Sequence, residues 1–93
     1  VSEPGAVVAV LGNEYDDALI KRTIALLDDL GGRLVDRQAF LGGSQLIQIQ
    51  IWDFDGRPLR LEGETYVGLS VEGPAAIVEA LRRRLTAEGF PPA

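Results

Sequence analysis

Leu46-Ile47-Gln48-Ile49-Gln50-Ile51-Trp52-Asp53 is the stretch whose reading decides the fold. Its apolar and polar residues alternate with a period of two, which a β-strand sorts onto opposite faces and an α-helix would scatter. As a strand it places Ile47, Ile49 and Ile51 on one face and Gln48, Gln50 and Trp52 on the other. The isoleucine face is the expected buried face. The Gln–Trp face is then left to solvent or to a partner, as an antiparallel sheet allows.

Downstream, Asp55-Gly56 carries hairpin-turn chemistry, and Leu59-Arg60-Leu61 reads as a short edge strand. Thr65 to Val71 alternates again, with Val67, Leu69 and Val71 inward and Tyr66, Gly68 and Ser70 outward. Gly73-Pro74 opens a helix with Pro at the favoured first position. Ile77, Val78, Leu81 and Leu85 form its apolar stripe and Gly89 its end. The tail Phe90-Pro91-Pro92-Ala93 is available as a short edge segment.

Upstream, Gly42-Gly43-Ser44 is a turn and Arg33 to Leu41 a strand. Before them, Leu19, Ile20, Thr23, Ile24, Leu26, Leu27 and Leu30 share one helical face. Asp16 or Asp17 caps that helix and Gly31-Gly32 stops it. The run Ala6 to Leu11, ending in Gly12-Asn13, is too short for a helix and reads as a central strand. The order strand, helix, strands, helix predicts one α+β domain over residues 1–93: a two-layer sandwich, mainly antiparallel, with both helices on one sheet face.

Composition narrows the chemistry. The 93 residues hold no Cys and no His, which removes disulfides, thiolate metal sites, thiol nucleophiles and imidazole acid–base catalysis. Fourteen acidic against nine basic residues give a net charge of −5, unsuited to phosphate backbones or anionic membranes. No apolar stretch is long enough to span a bilayer and no signal peptide is visible, so cytoplasmic residence is expected. A chain starting at Val1 rather than Met reads as an excised domain or a processed product.

Taken together, "VVAVLG" (7–12), "LLDDLGGRLVDRQAFLG" (26–42) and "QLIQIQIW" (45–52) resemble the ACT-like branch of the ferredoxin-like fold. "YVGLSVEGPAAIVEALRRRLTAEGF" (66–90) is similar to the strand-then-helix end of the related NIL domains of transporter ATPases. The resemblance implies a ferredoxin-like topology, regulatory amino-acid binding near Gly12, and dimerisation through sheets or helices. Where ACT domains often carry Pro-Gly after the first strand, this chain has Asn13-Glu14-Tyr15-Asp16-Asp17.

Four places invite a functional reading, each beside a plainer one. At the corner Gly12, Asn13, Glu14, Asp16 and Asp17, backbone amides suit an α-carboxylate and the carboxylates an ammonium; the plainer account is a helix cap. Asp53-Phe54-Asp55-Gly56 looks like the start of a calcium loop, but Arg57 and Pro58 fall where a ligand and a glycine are needed, so a hairpin turn is expected. Arg82, Arg83 and Arg84 diverge around their helix, and Glu79 and Glu88 stand at spacings that pair with Arg83 and Arg84. Gln48, Gln50, Trp52, Tyr66 and Ser70 compose a prospective interface, against the plainer reading of a wetted face.

No paired carboxylates, phosphate loop or serine–base set stands out, so no catalytic residue and no cofactor are assigned. The expected function is a non-catalytic regulatory or assembly domain, a homodimer with a small amino-acid-like effector. The alternative is an adaptor using its open sheet face.

Overall fold

A computed structural model describes residues 6–13, 16–43, 45–64 and 68–90. The elements run β1 (Ala6–Gly12), α1 (Asp17–Asp29), β2 (Arg33–Gly42), β3 (Gln45–Phe54), β4 (Arg57–Glu64), β5 (Gly68–Pro74) and α2 (Ala75–Ala87). All five strands join one sheet in the order β1-β5-β4-β3-β2, with every neighbouring pair antiparallel. This is an α+β fold compatible with a two-layer sandwich. Its element order is not the βαββαβ expected of a ferredoxin-like domain: four strands follow one another between the helices.

The β3–β4 hairpin governs which side chains meet the helices. Asp55 and Gly56 both take positive φ, 55° and 84°, the geometry of a two-residue turn matched to strand twist. Phe54 is thereby paired with Arg57, Trp52 with Leu59, Gln50 with Leu61, and Ile51 with Arg60. Directly paired residues share a face. Leu59 and Leu61 are buried, so Trp52 and Phe54 are buried with them.

The expected assignment of faces is therefore reversed. Trp52 is only 4% exposed and belongs to the core with Phe54, Leu59, Leu61, Leu69, Val71, Leu26, Leu27, Val78 and Leu81. Ile47, Ile49 and Ile51 lie half-buried on the uncovered face, opposite Glu64, Glu62 and Arg60. Trp52 keeps its indole satisfied inside, because Nε1–H donates to Gln50 Oε1 at 3.1 Å.

Two strand assignments also change. Leu59-Arg60-Leu61 lies within an eight-residue inner strand rather than a short edge. The apolar run from Ala6 is an edge strand rather than a central one. The first described residue of β5 is Gly68, so the readings made on residues 65–67, and on the tail from 91 to 93, lie outside the described residues.

Both helices end alike. Gly31 and Gly89 sit at φ 97° and 95°. Gly32 N–H reaches Leu27 O at 2.9 Å and Phe90 N–H reaches Leu85 O at 3.0 Å, closures that need a left-handed residue. α1 begins where Asp16 Oδ1 accepts from Leu19 N–H at 3.1 Å. Thr23, the one buried polar side chain among the described residues, donates its hydroxyl to Leu19 O at 2.7 Å. No described helix is long and apolar enough to cross a membrane.

Exchanging Trp52 for Ala is expected to cost about 3–5 kcal/mol, the range for a large buried aromatic. Ile49→Ala, on the half-exposed face, is expected to cost roughly 1 kcal/mol. Urea unfolding followed by far-ultraviolet circular dichroism ranks the two, and the opposite order would mean that the isoleucines carry the core.

Candidate functional site

The glycine–acid corner is built by close packing. A Cβ on Gly12 would stand 2.6 Å from Leu19 Cδ2, and one on Gly68 would stand 2.5 Å from Gly12 O. Bare backbone at both positions lets β1 and β5 close against the start of α1. Asp16 spends one carboxylate oxygen on the helix cap, and its own N–H donates to Asn13 O at 3.2 Å. Asp17 lies exposed in the first turn, where a carboxylate complements the helix dipole. Glu14 lies outside the described residues. The corner thus does the work of a capped helix start.

The residues grouped as an interface are not brought together. Gln48, Gln50 and Trp52 share the helix side of β3, with Trp52 in the core. Ser70 alternates with the buried Leu69 and Val71 and faces the other way, paired with Val10 and Glu62. Tyr66 lies outside the described residues.

The uncovered face has its own pattern. One apolar ridge runs along β1, where Val8 is 66% and Val10 45% exposed. A second follows Ile47, Ile49 and Ile51 with Phe40, the last 49% exposed and paired with Ile47. Between them β4 and β5 present polar residues. Val8, Arg60, Glu62, Ser70 and Glu72 line an open depression of about 290 Å³.

Arg60 pairs there with Glu62 along its own strand, and Arg33 approaches Asp53 at 3.7 Å near the far edge. Among the described residues, strand pairing puts Asp36, Asp53, Glu62, Glu64 and Glu72 on this face with only Arg33 and Arg60. Five carboxylates against two guanidiniums leave it at −3, more than half of the chain's −5.

Two ion pairs tie the helices together. Arg84 donates to Asp29 at 3.0 Å, and Arg22 grips Glu88 through two hydrogen bonds, Nη2 to Oε2 at 2.9 Å and Nε to Oε1. Arg82 takes Glu79 at 3.3 Å. Glu79 and Glu88 therefore hydrogen-bond to Arg82 and Arg22 rather than to the Arg83 and Arg84 expected from spacing, while Arg84 still favours the charged form of Glu88 through space. The Asp55-Gly56 segment is a hairpin turn, and no described group of His, Cys, Asp or Glu side chains is placed to hold a metal ion.

Alternation within β3 alone does not say which of its faces is covered. The signal was present in β4, where Leu59 and Leu61 alternate with Arg60 and Glu62. No family model, curated protein or solved structure matches the chain.

Two measurements test these local assignments. Asp16→Ala is expected to lower stability by about 1 kcal/mol, the usual loss for a capping carboxylate, with Asp17→Ala smaller. The Arg22 hydrogen bond holds the Glu88 carboxyl below its ordinary pKa. Its contribution is thus present above the unfolded-state pKa and lost as pH falls through the folded-state value. Glu88→Gln is expected to lower the melting temperature slightly at neutral pH and not at all once wild-type Glu88 is protonated. A gap that persists in acid would show another cause.

Proposed function

We propose that this chain is a non-catalytic protein-interaction domain whose working surface is the uncovered sheet face. The partner it suits is an extended or amphipathic segment bearing both apolar and basic side chains. One observation carries this reading: two apolar ridges flank an open polar depression, and the described residues of the face hold a net charge of −3.

Apolar side chains of such a partner cover Ile47, Ile49, Ile51 and Phe40. Its cations meet Glu62, Glu64 and Glu72. Complementary charge of this kind mainly sets partner choice and association rate. Two copies of this face would instead bring carboxylates against carboxylates. A zwitterionic effector at the Gly12–Asp17 corner has less support, since Asp16 is already committed to the helix cap.

A short peptide of alternating lysine and valine serves as the probe, titrated into ¹⁵N-labelled protein at low and high salt. Expected shifts centre on Ile49, Ile51, Arg60, Glu62 and Glu72, and salt weakens them, because exposed charges are screened beyond about 10 Å at 0.1 M ionic strength. Combining Glu62→Gln with Glu72→Gln should reduce affinity several-fold. Shifts confined to α1 and α2, or unchanged affinity in the double variant, would overturn the proposal.

A further inference from the structure

We infer that β1 pairs, edge to edge and antiparallel, with β1 of a second copy, joining two five-stranded sheets into one continuous sheet across a two-fold axis. This uses the edge rather than the face and goes beyond the interaction proposed above.

The first observation is the mismatch between what β1 is made of and where it sits. Ala6-Val7-Val8-Ala9-Val10-Leu11-Gly12 has no charge and no proline, so it carries neither of the side-chain devices that keep an exposed strand edge from pairing. It lies at the margin of the sheet, and among the described residues no strand pairs with its outer edge. Such an edge presents unpaired N–H and C=O groups, and proteins that must remain apart guard it with charges, prolines or bulges.

The opposite edge is guarded in this way. β2 has a register shift between Leu34 and Asp36, and Arg33, Asp36 and Arg37 lie in its first half. On β1 the corresponding irregularity lies between Val10 and Gly12, at the strand's far end, and leaves Ala6 to Val10 regular.

The second observation is self-complementarity. A closed two-fold contact must match a surface to itself. With the axis at Ala9, Val8 of each copy stands opposite Val10 of the other, and these are the two most exposed apolar residues of the strand. The neighbouring register then completes a row: Glu72 beside Val8, and Ser70 beside Val10 of the second copy. Each Glu72 therefore stays one strand back from the seam, which uncharged side chains alone line. On the helix side, the partly buried Val7 and Ala9 gain cover. The pairing also brings the valine ridges of both copies together on the uncovered face.

Sedimentation velocity and light scattering on the whole chain, over a rising concentration series, provide the test. The expected result is a species of twice 10.0 kDa, with slow amide exchange along β1. Val8→Lys with Val10→Lys should weaken association at least about tenfold, because like charges then face each other across the seam. Val8→Lys alone, at the more exposed position, should have a smaller effect in the same direction and serves if the double variant melts early. Leu41→Lys, at the β2 edge, and the Glu62/Glu72 double variant should leave the dimer intact, so failure here is distinct from failure of the face proposal. A monomer at every concentration, or dissociation by Leu41→Lys and not by the Val8 variants, would overturn the inference.

Discussion

A two-residue turn fixes the hand this structure plays. Once Asp55 and Gly56 adopt their positive φ values, Phe54 must face Arg57, and every pair down the hairpin follows from that one closure. Because side chains alternate strictly, a shift of one residue would send each of them to the other side of the sheet. The leucines of β4 leave no freedom in the choice: Leu59 and Leu61 are needed under the helices, so Trp52 and Phe54 go with them. The three isoleucines are then carried outward beside Arg60 and Glu62. Core, open face and charge distribution all descend from that register.

Much of this was legible in the sequence, and the errors share a cause. The helices were readable from their apolar spacing, the cap from its chemistry to within Asp16 or Asp17, and their ends from Gly31 and Gly89, since these signals act within a few residues. The period-two pattern of β3 was equally clear. Its polarity was not, because alternation alone says that two faces differ without saying which is covered. Isoleucine is more hydrophobic than glutamine, but a strand's face is settled by its neighbours, and Trp52 brings a large ring and a donor that Gln50 can satisfy. The Asp55-Gly56 turn together with the leucines of β4 carries that assignment.

Strand order was the harder part. β1 has the composition of a central strand but lies at the margin of the described sheet. Among the described residues no strand lies on its outer side. The acidic corner illustrates the converse: residues with ligand-like chemistry are consumed by local structure, with Asp16 capping a helix and Gly12 and Gly68 allowing two backbones to approach.

The connectivity of the sheet has an energetic consequence. β2 through β5 pair with their sequence neighbours, so each hairpin closes a short loop, while β1 must return from the other end of the chain to reach β5. Loop-closure entropy rises with the length closed, and β1 bears the largest share of it. The strand with the bare edge is thus also the one whose attachment draws least on local contacts. Pairing on its outer side would hold it from both flanks, so that monomer cooperativity and subunit association would become linked equilibria, each strengthening the other.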